Sequence, residues 1–116
     1  MGTYSGDNSN NTFIANDDRQ SWLLSGKGGD DYLAGTSQKD TISGDEGNDN
    51  LFGGDGNDIL NGGTGNDNLY GGTGLDTLNR GDGNDRIFDT DGIVDGGAGT
   101  DTLIADYSQF DNGSGV

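Results

Sequence analysis

A nine-residue period runs through most of this chain, and no other feature restricts its fold as much. From Gly26 to Phe88 the sequence divides without a gap into GKGGDDYLA (26–34), GTSQKDTIS (35–43), GDEGNDNLF (44–52), GGDGNDILN (53–61), GGTGNDNLY (62–70), GGTGLDTLN (71–79) and RGDGNDRIF (80–88). A shorter stretch, DTDGIVD (89–95), precedes one more full unit, GGAGTDTLI (96–104). Position six is Asp in every full unit and position eight is Leu or Ile. Glycines at positions one, two and four permit positive φ and bring carbonyls close together, so the first six residues read as a turn. The last three, with one apolar side chain between two others, read as a short strand with a single inward residue. A glycine-rich nine-residue unit sustains no 3.6-residue pattern, which excludes helix. One turn and one strand bury nothing alone, whereas stacked units cover one another. The chain therefore reads as all-β, a solenoid of stacked units; if two units make one flattened coil, equivalent strands stack ~4.8 Å apart.

Stacking aligns the aspartates. One edge of the coil collects Asp31, Asp49, Asp67, Asp85 and Asp101; the opposite edge collects Asp40, Asp58, Asp76 and, after the short unit, Asp91. Columns of bare carboxylates repel. The whole chain shares the difficulty: 116 residues carry 21 acidic against 5 basic side chains, a formal net charge of -16, and only 21 residues are Leu, Ile, Val or Phe. That composition falls in the disordered class unless something neutralises the carboxylates. A cation between adjacent aspartates turns repulsion into attraction. Carboxylate and carbonyl oxygens favour a hard ion, and a crowded, flexible loop favours calcium over magnesium.

Composition also removes competing classes. No Cys means no disulfide framework and no thiolate metal site. No His removes the usual general base and every Ser-His-Asp arrangement. The negative charge opposes binding to nucleic acid phosphates. No apolar run approaches the ~20 residues of a membrane span, and the start, MGTYSGDNSN, lacks the basic and apolar regions of a cleaved signal peptide. None of the glycine-rich loops fits GxxxxGK[ST], and the only Glu, Glu46, does not close an EF-hand loop. Carboxylate pairs repeated as a ladder fit ion ligation better than a glycosidase pair.

Units such as GGDGNDILN, GGTGNDNLY and GGAGTDTLI resemble the RTX, or haemolysin-type, calcium-binding repeat GGxGxDxUx, over residues 26–104. The resemblance implies a right-handed parallel β-roll with calcium between glycine-rich turns two units apart. It implies ligation by the aspartate pairs Asp31/Asp49, Asp49/Asp67, Asp67/Asp85 and Asp85/Asp101 on one edge and Asp40/Asp58 and Asp58/Asp76 on the other. Backbone carbonyls would complete each set, from loops containing Gly44 and Gly47; Gly53, Gly54 and Gly56; Gly62, Gly63 and Gly65; Gly71, Gly72 and Gly74; Gly81 and Gly83; and Gly96, Gly97 and Gly99. About six ions would bring the formal charge to roughly -4. The unit at 35–43 lacks the glycines at positions two and four and places Lys39 beside Asp40, which predicts a weak or empty Asp40/Asp58 site. The resemblance further implies a non-catalytic structural module of a larger exported bacterial protein, carried by type I secretion machinery to the outside or the cell surface and folding there on calcium.

The flanks and outer faces complete the expectations. Residues 1–25 read as an irregular N-terminal cap around one decayed unit, Gly6–Ile14, with Asn11 at the Asp position and Phe13 at the apolar one. Residues 105–116 read as a C-terminal tail in which Tyr107 and Phe110 fold over the end. Position eight should line the core, with Ile93 continuing the row of Ile42, Leu60 and Leu78. Position nine gives an outward row Ala34, Phe52, Tyr70, Phe88, Ile104, either cross-strand packing or an adhesin-like, carbohydrate-binding face. Position five gives Asp30, Asn48, Asn66, Asn84, Thr100, a row regular enough to consider ice binding, but position three beside it is not regular.

Overall fold

The computed structural model describes residues 1–89, with side chains through Phe88, and the backbone of 93–95 and 102–105. Twelve short strands carry the described chain: β1 (Gly2–Ser5), β2 (Thr12–Ile14), β3 (Trp22–Ser25), β4 (Tyr32–Ala34), β5 (Thr41–Ser43), β6 (Asn50–Gly54), β7 (Ile59–Asn61), β8 (Asn68–Gly72), β9 (Thr77–Asn79), β10 (Arg86–Asp89), β11 (Ile93–Asp95) and β12 (Thr102–Ala105). Odd-numbered strands form one six-stranded sheet and even-numbered strands the other, each in chain order. All pairings are parallel. The chain thus alternates between two sheets, one turn and one strand at a time, which is a β-roll of two units per coil.

Register follows the repeat. Leu33 lies opposite Leu51, Leu51 opposite Leu69, Ile42 opposite Leu60 and Leu60 opposite Leu78. Position eight is therefore one continuous column in each sheet, and the two columns meet between the sheets. Leu24, Leu33, Ile42, Leu51, Leu60, Leu69, Leu78 and Ile87 are all 0% exposed and form a single core. Burying such side chains is worth roughly 1.5–3 kcal/mol each.

The first 25 residues differ from the irregular cap expected of them. They supply β1, β2 and β3 to the same two sheets, with Tyr4 opposite Leu24 and Phe13 opposite Leu33. Only the loop at 15–21 leaves the period, adding two residues so that Gly2 pairs with Trp22. The phase break hid this continuity, because the inward position stays apolar while the loop length changes. Tyr4, Phe13 and Trp22 pack against the core and one another, with Tyr4 and Phe13 stacked at 4.2 Å between ring centroids. A second correction comes from β11, where Val94, not Ile93, lies opposite Leu78. The short unit is two residues shorter than the others, and the strand register absorbs the deficit one residue later than the sequence alignment suggests. The expected tail beyond Ala105, with Tyr107 and Phe110, lies outside the described residues.

Candidate metal centre

Among the described residues each position-six aspartate, from Asp31 to Asp85, sits at the end of a turn immediately before a strand. Its side chain is buried. One carboxylate oxygen is fixed by the neighbouring coil. On the first edge the N–H of Asn11 donates to Asp31 Oδ1 (2.7 Å), that of Asp31 to Asp49 Oδ1 (2.8 Å), that of Asp49 to Asp67 Oδ1 (2.8 Å) and that of Asp67 to Asp85 Oδ1 (2.7 Å). On the second edge the N–H of Trp22 donates to Asp40 Oδ1 (2.7 Å), that of Asp40 to Asp58 Oδ1 (2.8 Å) and that of Asp58 to Asp76 Oδ1 (2.8 Å). The aspartates thus form the two columns read from the sequence.

The other oxygen is left over. Oδ2 of Asp31, Asp49, Asp58 and Asp67 is buried and accepts no hydrogen bond. A buried carboxylate oxygen without a partner costs heavily unless a proton or a cation meets it. The space it faces is lined by oxygen. A Cβ added to Gly53 would lie 2.6 Å from Asp58 Oδ2 and 2.7 Å from the Gly71 carbonyl oxygen; one added to Gly62 would lie 2.7 Å from Asp67 Oδ2 and 2.6 Å from the Arg80 carbonyl oxygen. Where position one is glycine, a side chain there would fill this cradle; the 80–85 turn differs, with Arg80 at position one. Gly44 and Gly26 stand in the same relation to Asp49 and Asp31.

Positions two and four shape the loop. Gly63 and Gly65 have φ of 91° and 101°, and a Cβ on either would strike the backbone of the coil below, at Asp45 and Gly47. The same left-handed pair recurs at Gly54 and Gly56, Gly72 and Gly74, and Gly81 and Gly83, with Gly47 alone at position four of its turn. Lys27 and Asp45 adopt positive φ at position two without being glycine. Asp45 is held by the hydroxyls of Ser25 (2.7 Å) and Ser43 (2.9 Å).

Burial is the largest influence on the column carboxylates. It pushes Asp49 and Asp58 up to about 7 and Asp67 up to about 8, against partial compensation from the N–H groups on Oδ1 and reinforced by neighbouring carboxylates. Asp31 is raised for the same first reason. Among the described residues no three acidic side chains converge on one point. Each turn offers one carboxylate, and any ion would complete its set from carbonyls. The donor chemistry fits calcium: oxygen only, two carboxylates per pair of turns, and flexible glycine loops.

The structure brings together Asp31, Asp49, Asp67 and Asp85 on one edge and Asp40, Asp58 and Asp76 on the other, with the glycines of 44–83 in the turns between. Asp91, Gly96, Gly97, Gly99 and Asp101 lie outside the described residues. Position five has a role the sequence reading missed. The side-chain oxygen of Asp30 accepts the N–H of Asn48 (2.9 Å), that of Asn48 the N–H of Asn66 (2.7 Å) and that of Asn66 the N–H of Asn84 (2.8 Å); on the other edge Asn57 accepts the N–H of Leu75 (2.9 Å). The recurring Asn-Asp dipeptide was the signal. Both members clip one coil to the next, the aspartate from a buried position and the asparagine from an exposed one.

The outward aromatic row is a stack along the roll axis. Phe52 and Tyr70 lie 4.3 Å apart at 4°, Tyr70 and Phe88 4.4 Å apart at 8°, and Tyr32 leans on Phe52 at 4.8 Å. The ring faces cover one another.

A family model described as the RTX calcium-binding nonapeptide repeat (four copies) matches residues 25–60 and 52–87, more than half of the chain. Neither the curated proteins nor the solved structures gave a match.

Proposed function

The chain belongs to the RTX calcium-binding nonapeptide repeat family, and from that premise we propose that its buried aspartate columns make it a module that folds when calcium binds between its turns. The repeats are calcium-binding, and the family is generally non-catalytic. The reading rests on one observation above the others, the unpartnered buried Oδ2 atoms of Asp31, Asp49, Asp58 and Asp67. Asp31/Asp49, Asp49/Asp67, Asp67/Asp85 and Asp58/Asp76 are the ligating pairs, with carbonyls from the glycine turns filling the remaining positions; Asp85/Asp101 continues the first column. Bound calcium supplies divalent charge with a demand for six to eight oxygens. The chain's own contribution is to hold each Oδ1 in place through the neighbouring N–H and to aim Oδ2 into the cradle beside position one.

Coupling of binding to folding follows from linkage, because the unfolded chain has no preformed cradle. A chain that stays expanded at low free calcium and folds at the ~10⁻⁴–10⁻³ M affinities of extracellular modules suits passage through a type I exporter and folding outside the cell, as part of a larger protein. Among the described residues no helix is long and apolar enough to cross a membrane. The alternative, an adhesin or carbohydrate-binding face, would need open ring faces on Phe52, Tyr70 and Phe88, and these rings are stacked on each other. A calcium titration followed by far-UV circular dichroism, with magnesium as control, tests the reading. A cooperative rise of β signal with calcium alone is expected; an unchanged β signal in excess chelator would sink it.

A further inference from the structure

The turn over 35–40 holds the same place in the roll as those over 53–58 and 71–76 and keeps glycine at position one, where a Cβ on Gly35 would meet Asp40 Oδ2 and lie 2.9 Å from the Gly53 carbonyl oxygen, but it differs at positions two and four. Thr36 and Gln38 stand where the others carry glycine, and neither adopts positive φ. Thr36 is buried. Its N–H donates to Asp40 Oδ2 at 2.6 Å and its hydroxyl to the same oxygen at 3.3 Å, while its Oγ1 accepts the N–H of Gln38 at 3.2 Å. The oxygen that lacks a hydrogen-bond partner in Asp31, Asp49, Asp58 and Asp67 is therefore occupied in Asp40. The extra loop at 15–21 closes over this turn: Asp18 Oδ1 accepts the N–H of Ser37 (3.1 Å), and the Asp18 carbonyl accepts from Gln38 Nε2 (2.7 Å). The loop is itself pinned, since Trp22 Nε1 donates to the Asp17 carbonyl (3.2 Å) and Gln20 Nε2 to Asp17 Oδ2 (3.1 Å). The two departures from the repeat, distant in sequence, meet on one edge.

We propose that the 35–40 turn is a calcium-free turn in which Thr36 stands in for the ion at Asp40, capped by the 15–21 loop, so that the Asp40/Asp58 pair is not a metal site. Two donors on one carboxylate oxygen point positive hydrogens where a cation would have to sit. Binding there would break both bonds and strand a buried N–H. Asp58 keeps its place as a ligand through Asp76 alone. The inference rests on the reading that the other aspartate pairs bind calcium.

Native mass spectrometry of the whole chain in saturating calcium counts the ions, with far-UV circular dichroism confirming that each variant keeps its β signal. Asp40→Asn is expected to hold as many ions as the wild type, whereas Asp67→Asn loses at least one. The double variant T36G/Q38G, which restores the glycines, is expected to gain one. Loss of an ion in Asp40→Asn, or an unchanged count in T36G/Q38G, overturns the proposal. A wild-type chain that retains no calcium fails the underlying reading instead, and is told apart because Asp67→Asn then changes nothing.

Discussion

The turns over 62–67 and 35–40 both end in a buried aspartate followed by an inward apolar residue, and both accept a backbone N–H on Oδ1 in the same column geometry. They differ in what meets the second oxygen. In 62–67, glycines at positions one, two and four leave Asp67 Oδ2 facing an oxygen-lined space with no hydrogen-bond donor. In 35–40, Thr36 donates to Asp40 Oδ2 from within the same turn. The first turn is completed only by something from outside the chain; the second is complete as it stands. The two turns differ at positions two and four, where Thr36 and Gln38 stand in place of the left-handed Gly63 and Gly65.

The largest effect expected from this contrast is on removing calcium. Excess chelator at pH 7.5 should abolish most of the β signal. Hydrogen exchange should show the amides of 62–67 losing protection at a higher free calcium than those of 35–40. Equal loss in both turns would break the comparison. Next comes Asp67→Asn, which keeps an oxygen on the Asp49 N–H but removes the charge shared by two pairs. Its calcium midpoint should rise about tenfold or more, equivalent to ~1.4 kcal/mol, against less than about threefold for Asp40→Asn.

A pH series sharpens the point. In the metal-free folded chain Asp49 and Asp58 titrate near 7 and Asp67 near 8, well above the ordinary 3.8. The folded form then holds protons that the unfolded chain has released. Its metal-free stability is fully present below about pH 4 and is lost as pH rises through 7 to 8. Calcium must displace those protons, so apparent affinity should increase from pH 6 to pH 8. Circular dichroism in chelator at pH 4 and pH 8 checks the first sign, and calorimetric titration at pH 6 and pH 8 the second.

Two smaller tests follow. Gly65→Ala and Gly56→Ala impose the same strain, with φ of 101° and 102°, of roughly 1–3 kcal/mol. The Gly65 methyl also falls on the Gly47 carbonyl oxygen, whereas the Gly56 methyl would meet the Gln38 carbonyl oxygen of the 35–40 turn at 2.8 Å. Gly65→Ala should therefore cost more, measured as the shift in thermal midpoint at fixed calcium. Tyr70→Ser should cost about 1 kcal/mol of calcium-loaded stability through lost stacking, with no change in the number of ions bound.

Much of this was legible in the sequence, for a physical reason. A strict nine-residue period with one apolar position forces that position onto a single line in each sheet, so Leu33, Leu51, Leu69 and Ile87 had to share a face and the aspartates two residues before them had to stack. The period is a property of the chain itself. Where the period broke, the reading failed: residues 2–14 join the roll although 15–21 interrupt the phase, and Val94 rather than Ile93 pairs opposite Leu78, because strands re-pair across a loop of any workable length. The partners of Asn48 and Asn66, and the meeting of Asp18 with Gln38, depend on which groups the adjacent coil or loop presents. That is decided only when the coils lie on one another, by hydrogen bonds between residues about 18 positions apart, and no local pattern specifies them.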